Sequence, residues 1–577
     1  MMLKTSSRKI NPTWGMLAFT LKKNIGILIL TVIAGLLYCP CSFMVNYVFT
    51  GEKNYGSIDL FDEFMIPVAV LAGIIVTVLN FMNFSFLYQK RSSDVFHSFP
   101  MTRTELLVSR MLAGLIMTLI PVTVCYAAFG IMSAFNTWML NSVAQFFYGF
   151  INTFLIILVC SAFSMIFVVC AGSTFDLALS FIGGNGALLL IALIISVLLE
   201  ETLIGYDDYN MQHIMMNFSP LYYCGMGISY VVEMPKYGIT QRGIEFILRS
   251  IIYIVVFTTA SILLYNKRKA EKGGQAYAYK FIYIFCSILA GACGGYLLGM
   301  LFAQGEFNFI FWIFATIGSI LSCVVYGAIT DRGFKKVKYS IINGAVSALV
   351  MPIIAVIALT GCFGFTNRVP NPKKVTSATI DYFSESIKFD DAAEVTKLHE
   401  ELLVSGAVIS KNSYYRSNTP TKIIYFNYNM ENGAQINRKF YLAESKAADI
   451  LLDLYKSPER ITNITDALKE SNAVFVNVGI SGDKNHFNEY TSTYLTRAEV
   501  DTLLSYYLED MQKATRETVI KGAEYTFSLE WSVSEYSNQY FVLEFSQDFE
   551  KTFEYLTSLD LPARQLAAEL GQIENYK

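Results

Sequence analysis

Charge is scarce in this chain. Only 16% of its 577 residues are Asp, Glu, Lys or Arg, against 54% hydrophobic, where soluble domains carry about 25% charged residues. Those proportions exclude a single soluble globule. Mean hydropathy is +0.42, and the apolar excess fills the stretch before Thr366 and fades after it. Cysteine is missing from everything beyond Cys362, so the tail cannot rely on disulfides. The ten cysteines, from Cys39 to Cys362, form no C-x-x-C metal pair and read as small apolar fillers. Histidine is rare too: there are four, scattered, and His399-Glu400 lacks the second histidine of a zinc protease. No Gly-Lys pair occurs anywhere, which excludes a nucleotide-binding P-loop. Gly273-Gly274-Gln275 has the heart of an ATP-binding-cassette signature but stands alone in a basic loop.

What is present in the first 365 residues is a series of runs that match the roughly 20 apolar residues a helix needs to cross a bilayer. Nine are expected: Ile25–Phe49, Phe64–Tyr88, Met111–Phe135, Phe146–Ala171, Leu177–Leu199, Ile247–Tyr265, Phe281–Phe302, Phe307–Ala328 and Ile341–Phe363. Apart from Arg249 near one end, none holds an Asp, Glu, Lys, Arg or His. Ion-coupled carriers need such groups to carry protons or hold cations, so that class is disfavoured, and an intramembrane enzyme more so. With the N-terminus inside, 18 of the 22 Lys/Arg of this half fall in inner segments, as the positive-inside rule requires. The tail then lies outside. Met211–Val232 contains Gln212, His213, Asn217 and Pro220 and reads as part of an outer loop, dipping into the bilayer as short helices rather than crossing it.

Residues 366–577 hold 22 Lys/Arg against 31 Asp/Glu, a net of −9, which repels nucleic acid. After the Pro-rich linker Asn367–Pro372 the pattern reads twice as strand, helix, two strands, helix. The first set is Val375–Tyr382, Asp391–Leu403, Lys422–Tyr428, Gln435–Tyr441 and Glu444–Tyr455, with an Asn432-Gly433 hairpin turn. The second is Ala473–Gly479, Thr496–Met511, Tyr525–Val533, Tyr540–Phe545 and Gln547–Leu559. Ser445 and Thr496 are the expected helix caps. The fold class is therefore a polytopic α-helical membrane domain followed by an α+β soluble domain built as two βαββα repeats.

Between the second and third runs, Ser93 is placed to cap a short helix with Asp94 in its first turn, and Pro100 ends it. Thr102 and Glu105 form a capping box that starts the next helix. The result is a short helix on an elbow, exposing Val95, Phe96 and Phe99 among charges. Such a helix suits insertion into a partner's groove or rest on lipid headgroups. Gly291, Gly295 and Gly299 share one face of the seventh run, for close helix packing or a substrate path. Asn80, Asn83, Asn152 and Asn185 suit a translocation route or interhelical hydrogen bonds.

The segment Asp94…Ser98-Phe99-Pro100-Met101-Thr102-Arg103-Thr104-Glu105-Leu106…Arg110 resembles the S-[LF]-P-[VM]-[ST]-R-x-E-[LI] stretch of ABC-2-type transporter permeases. In that family it is the coupling helix that docks on a cytoplasmic ABC ATPase subunit. The resemblance implies that Ser93, Asp94, Val95, Phe96, His97, Ser98, Phe99, Pro100, Arg103 and Glu105 form the docking element. It implies a six-span module over 1–270, with three further spans over 271–365 and the extracytoplasmic domain over 366–577 as departures from the simple pattern. It further implies a bacterial cell-membrane protein, pairing with a second permease subunit as homo- or heterodimer. No cofactor would be bound by this chain, since ATP and Mg sit on the ATPase. Export of a peptide antibiotic, drug or envelope component is the favoured activity. The alternative is a membrane-anchored sensor or scaffold whose outer domain binds a ligand.

Overall fold

The computed structural model describes residues 12–49, 57–135, 143–207, 209–232, 241–275, 277–304, 307–334, 337–382, 385–389, 391–409, 411, 421–431, 435–462, 475–481, 491–517, 525–534, 537–545 and 548–559. The chain divides into two compact units, Met1–Ile195 with Met211–Ile353, and Ser196–Asn210 with Ile354–Lys577. The first therefore takes in residues on both sides of 270.

The first unit is helical: α1 (Pro12–Lys23), α2 (Ile25–Phe49), α3 (Ser57–Asn83), α4 (Lys90–His97), α5 (Arg103–Phe135), α6 (Val143–Cys170), α7 (Thr174–Ala178), α8 (Gly184–Thr202, whose end enters the second unit), α9 (Tyr209–Phe218), α10 (Pro220–Val232), α11 (Gln241–Lys267), α12 (Lys280–Ala303), α13 (Phe309–Thr330) and α14 (Val337–Leu359). Among the described residues eight helices are long and apolar enough to cross a membrane, or nine if α1 and α2, bent by 62°, count as one span. This is a polytopic helical part.

Several expected boundaries shift. The second run does not continue to Tyr88: α3 stops at Asn83 and Ser85–Tyr88 winds into a tighter 3-10 turn. That turn is held because Phe84, Phe86, Leu87 and Tyr88 are buried in protein rather than facing lipid. The fifth run is interrupted by a π-helical turn at Leu179–Gly183. The ninth ends at Leu359, after which Gly361, Cys362, Phe363 and Gly364 all take positive φ and break the helix. Met211–Val232 breaks at Ser219-Pro220 into helices of 10 and 13 residues, each too short to cross. Tyr223, Cys224, Ile228 and Val231 bury that segment in the core formed by α3, α5 and α6. The Arg249 guanidinium donates to Asn217 Oδ1 at 2.5 Å and lies 4.6 Å from the Tyr223 ring centre.

The tightest helix contact joins α12 and α13. A Cβ on Gly291 would lie 2.6 Å from Cys323 Sγ, on Gly295 2.2 Å from Ser319 Oγ, and on Gly299 2.7 Å from the Phe311 ring. The face is wider than the predicted stripe. Gly294 abuts Ser322, and a Cβ on Gly318 would meet Gly294 O at 2.7 Å. Because that neighbour is backbone, it cannot turn aside. Gly318→Leu is expected to cost about 2 kcal/mol by overpacking, read as a lower thermal unfolding temperature of the detergent-purified protein. An unchanged temperature would disprove this contact.

The second unit is α+β. Its first half runs β1 (Val375–Tyr382), β2 (Glu385–Phe389), α15 (Ala392–Val404), β3 (Val408–Ile409), β4 (Thr421–Met430), β5 (Gln435–Ala443) and α16 (Glu444–Tyr455). The second runs β6 (Phe475–Ser481), β7 (Thr491–Thr496), α17 (Arg497–Lys513), β8 (Tyr525–Ser534), β9 (Ser537–Phe545) and α18 (Glu550–Ser558). The two antiparallel sheets have orders β2-β1-β4-β5-β3 and β7-β6-β8-β9. The second repeat is thus ββαββα rather than βαββα, with β7 as the added edge strand, and the first is ββαβββα, with β2 and the two-residue β3 added at opposite edges of its sheet. Matching strands take matching places, and one continuous core from Ala378 to Leu559 joins both halves. Thr496 and Glu499 make the expected capping box. Ser445 is not a cap, since α16 begins before it, at Glu444 behind Ala443. Asn432-Gly433 lies outside the described residues.

His399 is wholly buried in this core, with its Nδ1 2.9 Å from the Tyr428 hydroxyl and its ring stacked on Phe426. Burial, aided by the Arg438 guanidinium, brings its pKa down to about 3. Below about pH 6.5 the unfolded chain binds a proton that the folded one refuses, so stability falls with pH down to about 3. The loss is about 1.4 kcal/mol per pH unit in that window. The full-length protein is expected to melt lower at pH 5 than at pH 7.5, and His399→Leu to flatten that difference. An equal slope in the variant would refute the assignment.

Candidate functional site

The elbow between α3 and α5 holds a dense cluster of polar contacts. Of the ten predicted docking residues, Asp94, Val95, Ser98, Phe99 and Pro100 face outward, with Val95 57% and Phe99 41% exposed. The others are engaged with the chain itself. Ser93 does not cap α4: the cap is Gln89, without a side-chain bond, and Ser93 is buried within the helix. The 3.6-residue period explains this, because a helix presenting Arg91, Asp94 and Val95 turns Ser93, Phe96 and His97 inward.

His97 Nδ1 donates to Ser93 O at 2.7 Å, leaving Nε2 to accept from the Tyr265 hydroxyl at 3.3 Å. Burial lowers the His97 pKa and so favours this neutral form, an effect partly opposed by the hydrogen bond to the Ser93 carbonyl. Phe96 packs on Phe86 and, with it, sandwiches Arg110, whose Cζ lies 4.1 and 4.4 Å from the two ring centres. Phe96 is therefore a structural knob rather than an exposed one. Glu105 accepts from Thr102 N at 2.7 Å, and Thr102 Oγ1 accepts from Glu105 N, completing the capping box.

Three arginines fasten this elbow. Arg110 donates to Asn83 O at the end of α3, and Asn83 Nδ2 returns a bond to Arg110 O at 3.3 Å. Arg103 donates to Asn266 O and Arg268 O, at 3.2 and 2.5 Å, at the end of α11. Arg268 donates to Val168 O, Val169 O and Ala171 O at the end of α6 and to Leu87 O in the tight turn, all at 2.5–3.3 Å. Carbonyls at helix C-termini are free to accept, and an arginine fork matches several at once. Asn83 also accepts from Asn24, the residue at the bend between α1 and α2, at 2.9 Å. One cluster thus ties α4 to the ends of α3, α6 and α11, the start of α5 and the α1–α2 bend. Beside it, Phe19 of α1 with Phe99 and Pro100 lines an apolar cleft of about 280 Å³.

Sequence reasoning included Arg110 in the family-like segment without giving it a role, and did not anticipate Arg268 or Tyr265. The available signal was an arginine about two turns into an apolar helix, and another three residues after a run's last tyrosine. The four asparagines are not brought together. Asn80 donates to Ser161 and Ser164 across the α3–α6 contact, and Asn152 to Gly227 O at 2.6 Å. Asn185 donates to Phe181 O in the π-helical turn just before α8. In the second unit, Glu200 and Glu201 lie 2.7 and 2.9 Å from Lys411 Nζ, and Glu200 3.5 Å from Lys439 Nζ. Among the described residues no group of three or more His, Cys, Asp or Glu is arranged to hold a metal ion.

These features define a multi-pass protein of apolar helices carrying an α+β soluble part. No family model, no curated protein and no solved structure matches the chain.

Proposed function

We propose that this chain is the membrane-spanning permease subunit of an ATP-binding-cassette transporter, working as a homo- or heterodimer with a separate cytoplasmic ATPase in a bacterial cell membrane. The observation that carries this reading is the split character of α4. Its outer face and the turn after it offer Val95, Phe99 and Pro100 to a partner, while on its inner face Phe96 packs on Arg110 of α5 and His97 is hydrogen-bonded to Tyr265 of α11, both within the arginine cluster that joins the long helices. A helix resting passively on headgroups needs no such fastening. In this reading, closure of the ATPase presses on α4, and the arginine cluster passes the displacement to α3, α5, α6 and α11 together. The elbow and N-terminus lie inside and residues 366–577 outside, and the cargo is an exported peptide, drug or envelope component.

The test is purification of the tagged chain from its own host in mild detergent, with mass spectrometry of what accompanies it. A stoichiometric ABC ATPase is expected. A preparation with none, or with a kinase instead, overturns the proposal.

A second reading, a sensor, has one observation in its favour. Glu200 and Glu201, at the end of α8, are ion-paired to Lys411 and Lys439 of the α+β fold, so a ligand on that fold could act on the helix directly.

A further inference from the structure

A cavity of about 750 Å³ lies in the first unit, where the polar ends of α12, α13 and α14 meet the loop after α11. Its volume falls within the roughly 300–1,000 Å³ of small-molecule sites. Lys272, Lys280 and Arg332 line it, against the single carboxylate of Asp331. Lys272 Nζ donates to Gln275 Oε1 at 3.0 Å. Among the described residues the side chains of Lys280 and Arg332 make no hydrogen bond or ion pair, although Asp176 lies within reach of the Arg332 charge, so both cations remain open to a ligand. Phenols supply further donors: Tyr283, whose hydroxyl is 3.4 Å from Ser340 Oγ, and Tyr339, which is largely exposed.

The floor of the cavity is fixed. Gly274 N donates to Gly172 O and Ala278 N to Cys170 O, both at 2.8 Å. A Cβ on Gly172 would fall 1.9 Å from Gln275 O, so the loop lies flat on the turn after α6. Beside the cations, α12 presents Phe281, Ile284 and Phe285, and α14 presents Ile341 and Ile342, all exposed. A cationic, phenol-lined head chamber next to bare apolar helix matches an amphiphile with an anionic head. In a membrane-spanning chain, basic pockets at helix ends are where acidic lipid headgroups bind.

The geometry points to a site for one anionic phospholipid, its phosphate held by Lys280, Arg332 and Lys272 and its acyl chains lying along α12 and α14. This inference needs only that the helices span a bilayer and does not rest on the transporter reading. Phosphate is the chemistry recognised, and a soluble phosphate compound would share it, but such a ligand would make no use of the apolar flank.

The probe is delipidated full-length protein in detergent, titrated with dioleoyl phosphatidylglycerol or dioleoyl phosphatidylcholine and read by native mass spectrometry. Phosphatidylglycerol is expected to be retained at least about tenfold more tightly, and millimolar inorganic phosphate not to displace it. Lys280→Gln with Arg332→Gln is expected to weaken it by about thirtyfold, at about 1 kcal/mol per basic residue. Asn343→Phe, which fills the cavity from α14 without changing charge, should also abolish the preference. It serves as the test where the double variant does not purify. Equal retention of the two lipids, or unaltered phosphatidylglycerol binding by a folded variant, overturns the site. Full displacement by inorganic phosphate would assign it to a soluble ligand and overturn the lipid.

Discussion

Val95→Asp combined with Phe99→Asp is expected to abolish co-purification of the ATPase and its stimulation by the permease, while leaving the protein folded. Val95 is 57% exposed, and Phe99, 41% exposed, touches its own chain only at the surface, edge-on to Phe96 and beside the cleft with Phe19, so their loss costs little internally. At an interface each would bury an apolar surface worth about 1.5–3 kcal/mol, and a carboxylate there adds a desolvation cost. Together they should weaken association by at least about a hundredfold. Phe96→Asp is the contrasting variant. It puts a carboxylate against Arg110 in place of an aromatic wall and is expected to lower the melting temperature itself. Val95→Asp/Phe99→Asp protein that still binds and stimulates the ATPase would sink the docking assignment.

The second large effect is expected at Arg268, which is 5% exposed and donates to four carbonyls on two segments. Arg268→Met keeps the apolar stem and removes every donor. Buried acceptors left without a partner cost about 1–3 kcal/mol each, and partial entry of water limits the total to about 3–5 kcal/mol. Arg268→Lys retains charge without the planar fork and should recover only part of the loss. Thermal unfolding of the three proteins in one detergent measures this. Equal melting temperatures for the methionine variant and the parent would refute a fastening role.

The membrane part was legible because bilayer thickness imposes a length that composition alone reveals. Its boundaries were less so, since Phe84–Tyr88 is as apolar as a span and only its burial against protein bends it out of α3. In the tail, β1, β4 and β5 carry alternating apolar positions and read directly. The strands β2, Glu385–Phe389, β3, Val408–Ile409, and β7, Thr491–Thr496, were missed because each sits at a sheet edge. Edge strands are short or polar, and Ser/Thr-rich sequence resembles a turn. The elbow was recognisable from Pro100 and the Thr102–Glu105 box. Its inner bonding was not, because Arg103 and Arg268 are 165 residues apart in the chain and no local pattern relates them.

The ion cluster of Glu200 and Glu201 with Lys411 and Lys439 sets an order of events during synthesis. Residues 196–210 emerge about two hundred positions ahead of the lysines that complete their compact unit. At about 5–20 residues per second the two glutamates wait on the order of 10–40 s for their counterions. For that interval α8 ends in an unneutralised acidic pair, and the nascent chain depends on its surroundings to keep that end in place until the tail arrives.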